Sequence, residues 1–120
     1  MNTTMEIPRD EWVPFLDQLS RLHEEEMITV EVLRLDFGAQ LQVVGLPLEG
    51  ISADPTRLAS TITIAAGAAP DQHIEHHISQ PLHVRIMRGT TGDDEVLEIE
   101  AADESTTLLF FDGPKGWTSP

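Results

Sequence analysis

Hydrophobic and polar positions change period near residue 27, and that change divides the chain into a helix and a run of strands. Before it, Trp12, Phe15, Leu16, Leu19 and Leu22 recur at helical spacing, with Asp17, Gln18 and Arg21 on the opposite side. The spacing predicts a helix over residues 10–23. Asp10 and Glu11 place negative charge at its start, Pro14 is tolerated near the first turn, and Glu24, Glu25 and Glu26 put carboxylates where a helix end prefers cations. From Met27 the period is two: Ile28, Val30 and Val32 alternate with Thr29 and Glu31, the pattern of a half-buried strand.

Further strands follow up to residue 111. Leu35 to Ala39 supplies a turn, and Gln40 to Val43 alternates again, closing a first hairpin. Leu46-Pro47-Leu48-Glu49-Gly50-Ile51 is apolar but broken by Pro47 and Gly50, so it reads as an edge or bulged strand folded over the domain. Ser52 to Ser60 is the longest irregular stretch, Thr61 to Ile64 a strand and Gly67 to Asp71 a turn. His73 to Ile78, Leu82 to Met87, Val96 to Ala101 and Thr106 to Phe111 complete the series. Residues 1–112 are expected to form one domain and residues 113–120 a loosely held tail.

These elements imply a mainly β (α+β) fold. The expectation is a small, mostly antiparallel β-barrel or strongly curved sheet of about seven strands, capped by the helix. The expected core is Trp12, Phe15, Leu16, Leu19, Ile28, Val30, Val32, Leu41, Val43, Ile62, Ile64, Ile74, Ile78, Leu82, Val84, Ile86, Leu97, Ile99, Leu108 and Phe110.

A meander fixes registers, because a one-residue slip turns every side chain over. A Ser79-Gln80-Pro81 hairpin loop pairs Ile78 with Leu82, His77 with His83 and Glu75 with Arg85. The turn from Gly89 to Asp94 pairs Val84 with Ile99 and Ile86 with Leu97 inside, and Arg85 with Glu98 and His83 with Glu100 outside. The turn Ala102 to Ser105 pairs Ile99 with Leu108 and Leu97 with Phe110. Two outer rows result. Glu75, Arg85 and Glu98 form a structural ion-pair row, worth at most about 1 kcal/mol per pair. His77, His83 and Glu100, on strands about 4.8 Å apart, form the candidate site for a divalent metal such as zinc. His76 faces the other way and reads as a core-edge histidine with a hydrogen-bonded ring. The acidic runs Glu24-Glu25-Glu26 and Asp93-Asp94-Glu95 read as solvated turn residues.

Composition narrows the function. Asp and Glu number 21 against 7 Lys and Arg, a formal charge of −14, which argues against neutralising a nucleic-acid backbone. With no Cys, thiolate ligands, thiol nucleophiles and disulfides are excluded. No apolar run approaches a membrane span, no signal-peptide pattern opens the chain, and a cytoplasmic location is expected. None of the common nucleophile-elbow, phosphate-loop, dinucleotide or zinc-protease motifs occurs. The leading expectation is a non-enzymatic binding or interaction module without cofactor, taking an unknown protein partner or self-associating. The alternatives are the divalent-metal protein and an acidic DNA mimic.

Ile7-Pro8-Arg9-Asp10-Glu11-Trp12, Leu46-Pro47-Leu48-Glu49-Gly50-Ile51 and Leu97-Glu98-Ile99-Glu100-Ala101-Ala102-Asp103 together resemble a bacterial family of domains of unknown function of about this length. The chain departs from that pattern at Glu24-Glu25-Glu26-Met27, where the family carries a Gly-Trp pair. The resemblance implies a one-domain bacterial protein and carries no activity, cofactor or site residue.

Overall fold

The computed structural model describes residues 2–54, 60–67 and 70–113. Strand β1 (Thr3–Ile7) precedes a short 3-10 turn (Arg9–Glu11) and helix α1 (Trp12–Leu22). Then come β2 (Met27–Arg34), β3 (Gly38–Ala53), β4 (Thr61–Ala66), β5 (Ile74–Ser79), β6 (Pro81–Arg88), β7 (Asp94–Ala101) and β8 (Thr106–Gly113). All strand pairs are antiparallel, in the order β1-β6-β7-β8-β2-β3-β4-β5. The sheet is not closed: β1 and β5 are its edges, so the expected barrel is corrected to an open sheet.

It is nevertheless strongly curved. His76 on β5 and Thr107 on β8 lie four strand spacings apart along the sheet, roughly 19 Å if it were flat. Their side chains are 3.4 Å apart, so the sheet curls over its own inner face. Inside the curl, Ile62, Ile64 and Ile78 from one half meet Val84, Ile86, Leu97, Ile99 and Leu109 from the other in one core.

Helix α1 closes this core with Trp12, Leu16 and Leu19, all buried, and the Trp12 indole N–H donates to the Ile7 carbonyl at 2.9 Å. Each such side chain removed from water contributes about 1.5–3 kcal/mol. The helix ends at His23, and Glu25 turns the chain in the left-handed region (φ 67°).

Strand β3 is the seam of the fold. It is bulged, as Pro47 and Gly50 suggest, but it is no edge: its first part pairs with β2 up to Pro47 and its second part with β4 from Leu48. Beyond Pro47, no strand among the described residues lies on the β2 side of β3. There the Ser20 hydroxyl of α1 accepts from the Ile51 N–H at 2.7 Å and lies 2.8 Å from the Ile51 carbonyl. One side chain thus accepts from an N–H that a strand would otherwise pair, and its single proton is shared between the Ile51 and Leu16 carbonyls, each 2.8 Å away.

Three registers differ from expectation. β5 pairs with β4 (Ile62 with Ile78, Thr63 with His77), not with β6. The segment at Gln80 is a corner between the two halves: Gln80 adopts φ 51°, donates to the Ser60 carbonyl and accepts from the Ala102 N–H. The open flank of β6 is taken by β1, which the short and polar sequence Thr3-Thr4-Met5-Glu6 did not announce. The β6–β7 register matches, with Val84 opposite Ile99 and Ile86 opposite Leu97. The β7–β8 register slips by one, giving Ile99 with Thr107 and Leu97 with Leu109. The cause is the turn, in which Ala101 N–H bonds the Ser105 carbonyl and Glu104 sits at φ 69°, leaving a three-residue loop.

Core membership follows these registers. Leu109 and Thr107 are buried in place of Leu108 and Phe110, which face outward and are only half-buried. Leu41, Ile74 and Leu82 are exposed rather than core, because Leu41 lies on the outer face of the β2–β3 hairpin and Ile74 and Leu82 lie on β5 and beside the corner. The 52–60 stretch is in part strand, since Ser52 and Ala53 end β3; residues 55–59 and the 114–120 tail lie outside the described residues.

Candidate functional site

The residues expected to share a metal are separated. His77 stands on β5, 3.0 Å from the Thr63 hydroxyl on β4 and 3.5 Å from Glu75. His83 and Glu100 do face each other across β6 and β7, but their side chains turn to other partners: His83 Nδ1 to Glu6 at 2.7 Å, and Glu100 to Arg85 at 2.9 Å. The His77–His83 pairing depended on the β5–β6 hairpin, and with β5 moved to β4 it does not form. Among the described residues, no group of three or more His, Asp or Glu is arranged to hold a metal ion.

The arginine row is present with one substitution of partner. Arg85 meets Glu98 at 2.7 Å, Glu100 at 2.9 Å and Glu6 at 3.3 Å, so Glu6 of β1 takes the position expected for Glu75. Hydrogen bonds to Glu98 and then Glu100 hold the guanidinium in its charged form more firmly than usual. The bond from His83 keeps the Glu6 carboxyl below its ordinary range.

Outside the β3–β4–β5 half lies a second network. His73 has Nδ1 2.7 Å from Glu49 and Nε2 2.8 Å from Glu75, and the bond to Glu75 raises the His73 pKa above its ordinary value while lowering that of Glu75. It borders a shallow cleft between α1 and β3–β4 that includes Asp17, Ser20, Ser52 and Thr63. His76, on the inner side, has its pKa lowered by burial and then by the neighbouring charge of His77, as befits a core-edge ring.

A third cluster was not foreseen. His23, at the end of α1, places Nδ1 against Glu26 and Nε2 2.8 Å from Asp94 at the start of β7, while Arg88 Nε lies 2.8 Å from the other Asp94 oxygen. Its ring stacks on Phe111, with centroids 4.1 Å apart. Burial works to raise the Asp94 pKa, but bonds from Arg88 and His23 outweigh it and the net shift is downward. Asp94 is therefore a sheltered ion-pair partner and not the solvated turn residue expected. The spacing of His23 and Glu26 hinted at an i,i+3 contact; Asp94, 71 residues away, gave no local signal.

Apolar side chains also gather on the outer face of β6, β7, β8, β2 and β3. The registers line up Met87, Val96, Phe110, Thr29 and Val44 in one row and Arg85, Glu98, Leu108, Glu31 and Leu41 in the next. Leu41 is 60% exposed and Val44 65%, and at the hairpin tip Phe37 is 64% exposed with the Arg34 guanidinium over its ring. Leu33, Met87, Val96, Leu108 and Phe110 are half-buried around them. Burial of both faces of a sheet is the mark of a partnered layer, and among the described residues no second layer of helix or strand covers this face.

Fold and face together define a mostly β protein with one N-terminal helix, an open eight-stranded antiparallel sheet and an apolar sheet face turned outward. The chain belongs to DUF5335, a family of unknown function, whose model matches residues 3–119. No curated protein and no solved structure matches it. No helix among the described residues is long and apolar enough to cross a membrane.

Proposed function

We propose that this protein is a binding module that docks a protein partner on the outer face of β6–β7–β8–β2–β3. One observation carries the reading: Leu41 and Val44, large and more than half exposed, share one sheet face with the half-buried Leu108, Phe110, Val96 and Met87, from which they are separated by Glu31 and Thr29 of β2. Large apolar side chains gathered on one outward face of a domain are the usual make-up of an interaction surface. Polar groups beside these side chains are engaged with one another: Arg85 and Glu98, at the β6–β7 end of the same face, pair with each other and Arg85 also with Glu6, and Glu49, His73 and Glu75 do so on the β3–β4–β5 half.

The test replaces Leu41 with a photo-crosslinking residue in cells of the source, with His77 as the control position on the other sheet half. The expected result is a discrete protein adduct at position 41 that is absent at position 77 and is lost when Val44→Asp is added. Equal labelling at both positions, or none at 41, overturns the reading.

A further inference from the structure

We infer that the partner presents a cationic side chain, lysine or arginine, set among apolar residues, and that Glu31 receives it; this rests on the docking reading above. The carboxylates Glu98 and Glu31 both stand on this face; Glu98 is held by Arg85, while Glu31 has Leu41 facing it from β3 and Leu108 from β8, with Thr29 and Leu33 on the same side of β2. Among the described residues it makes no ion pair. The cation of its own row, Arg85, is already held by Glu6, Glu98 and Glu100.

Charge then selects among occupants. A purely apolar partner would bury the Glu31 carboxylate uncompensated, which is the most unfavourable outcome for a charged group. A second copy of this chain would offer its matching face, whose Arg85 is committed to three carboxylates and whose Arg34 lies beside Asp36 and Asp103, and would bring together two molecules each carrying −14. Anionic lipid and nucleic acid are repelled by the same charge. A basic, apolar protein surface answers both features of the face: its aliphatic side chains cover Leu41, Val44, Leu108 and Phe110, and its cation neutralises Glu31. Desolvating that pair between apolar side chains gives it directional value that an exposed pair lacks.

The experiment is an NMR titration of isotopically labelled protein with two synthetic amphipathic peptides, one of alternating leucine and lysine and one of alternating leucine and glutamine. The lysine peptide is expected to shift the amides of β2, β3 and β8, and Glu31→Gln to weaken it about tenfold, or about 1.4 kcal/mol. Glu24→Gln, in the turn after α1, is expected to leave the affinity unchanged. Equal weakening by the two variants, or equal binding of the glutamine peptide, overturns the assignment to Glu31 while amide shifts on β2, β3 and β8 still uphold docking there. Absence of shifts on those strands with either peptide overturns the docking reading itself. A dimer in sedimentation that Leu41→Asp dissociates would make a second copy the occupant, and the inference would fall.

Discussion

Two places in this molecule hold a histidine between two carboxylates, and they differ chiefly in shelter. His23 lies between Glu26 and Asp94 with its side chain 14% exposed, stacked on Phe111 and tying the end of α1 to the start of β7. His73 lies between Glu49 and Glu75 at 39% exposure, on the outside of the β3–β4–β5 half. The arrangement is the same: in each, both ring nitrogens face a carboxylate oxygen. The surroundings are not. Water screens the His73 network and competes for each of its bonds, whereas the His23 cluster joins segments far apart in sequence and has little water to replace what is lost.

The largest break in this comparison is His23→Ala. It leaves the Glu26 and Asp94 carboxylates facing a vacated, partly buried space, and unfolding in urea is expected to show a loss of about 2–4 kcal/mol. A loss within the scatter of exposed-site variants would show that the cluster is solvated and the contrast empty. Asp94→Asn is expected to cost less, about 1–2 kcal/mol, because the amide keeps one acceptor for Arg88 or His23; a neutral result in the same assay would remove Asp94 from the structural account.

Titration separates individual groups by direction, since Asp94 and Glu75 are lowered while His73 is raised. The Asp94 pKa is lowered in the fold, so its contribution is present above the ordinary value of 3.8 and disappears as pH falls through the lowered one. The pKa of His76, at the core edge, is lowered as well; its contribution is present above 6.5 and is lost as pH falls below it. His73 has a raised pKa, so its contribution is present below 6.5 and is lost as pH rises through the raised value. Melting temperature is therefore expected to fall on the acid side, with Asp94→Asn flattening that limb. A steeper loss on the alkaline side would show that His73 outweighs the groups whose pKa values are lowered. The smallest effect belongs to His73→Ala, expected to leave the urea midpoint unchanged within replicate error. A clear shift would show that exposure is not what distinguishes the two histidines.

Legibility in the sequence followed the amount of redundant information each segment carried. The β6–β7 register could be read because both faces agreed: Val84 with Ile99 and Ile86 with Leu97 inside, Arg85 with Glu98 outside. The next pair failed by one residue because Leu108-Leu109-Phe110-Phe111 is apolar in both phases, and the deciding feature was Glu104, a non-glycine in the left-handed region. Alternation also reports a strand without naming its neighbour, so the short Ser79-Gln80-Pro81 link looked like a hairpin until the Gln80 corner placed β5 beside β4. The helix, its end at His23 and the bulged character of β3 were local and legible. The expected metal group inherited the mistaken hairpin. Glu31 was visible only as the polar member of an alternating strand, since its apolar neighbours Leu41 and Leu108 arrive from two other strands.

The Ser20 contact to Ile51 has a consequence for the order of assembly. Helix α1, β2 and β3 are consecutive in the chain, and this hydroxyl fastens the first to the last across 31 residues, whereas β2 must wait for β8 and β6 for β1 from more than twice that separation. Short loops close at lower entropic cost, so the α1–β2–β3 unit is expected to be in place at the folding transition state and the two long-range pairings to form after it. Ser20→Ala should then slow refolding, while Ile7→Val on β1 should mainly speed unfolding; the reverse pattern in stopped-flow kinetics would place the nucleus at the far end of the sheet.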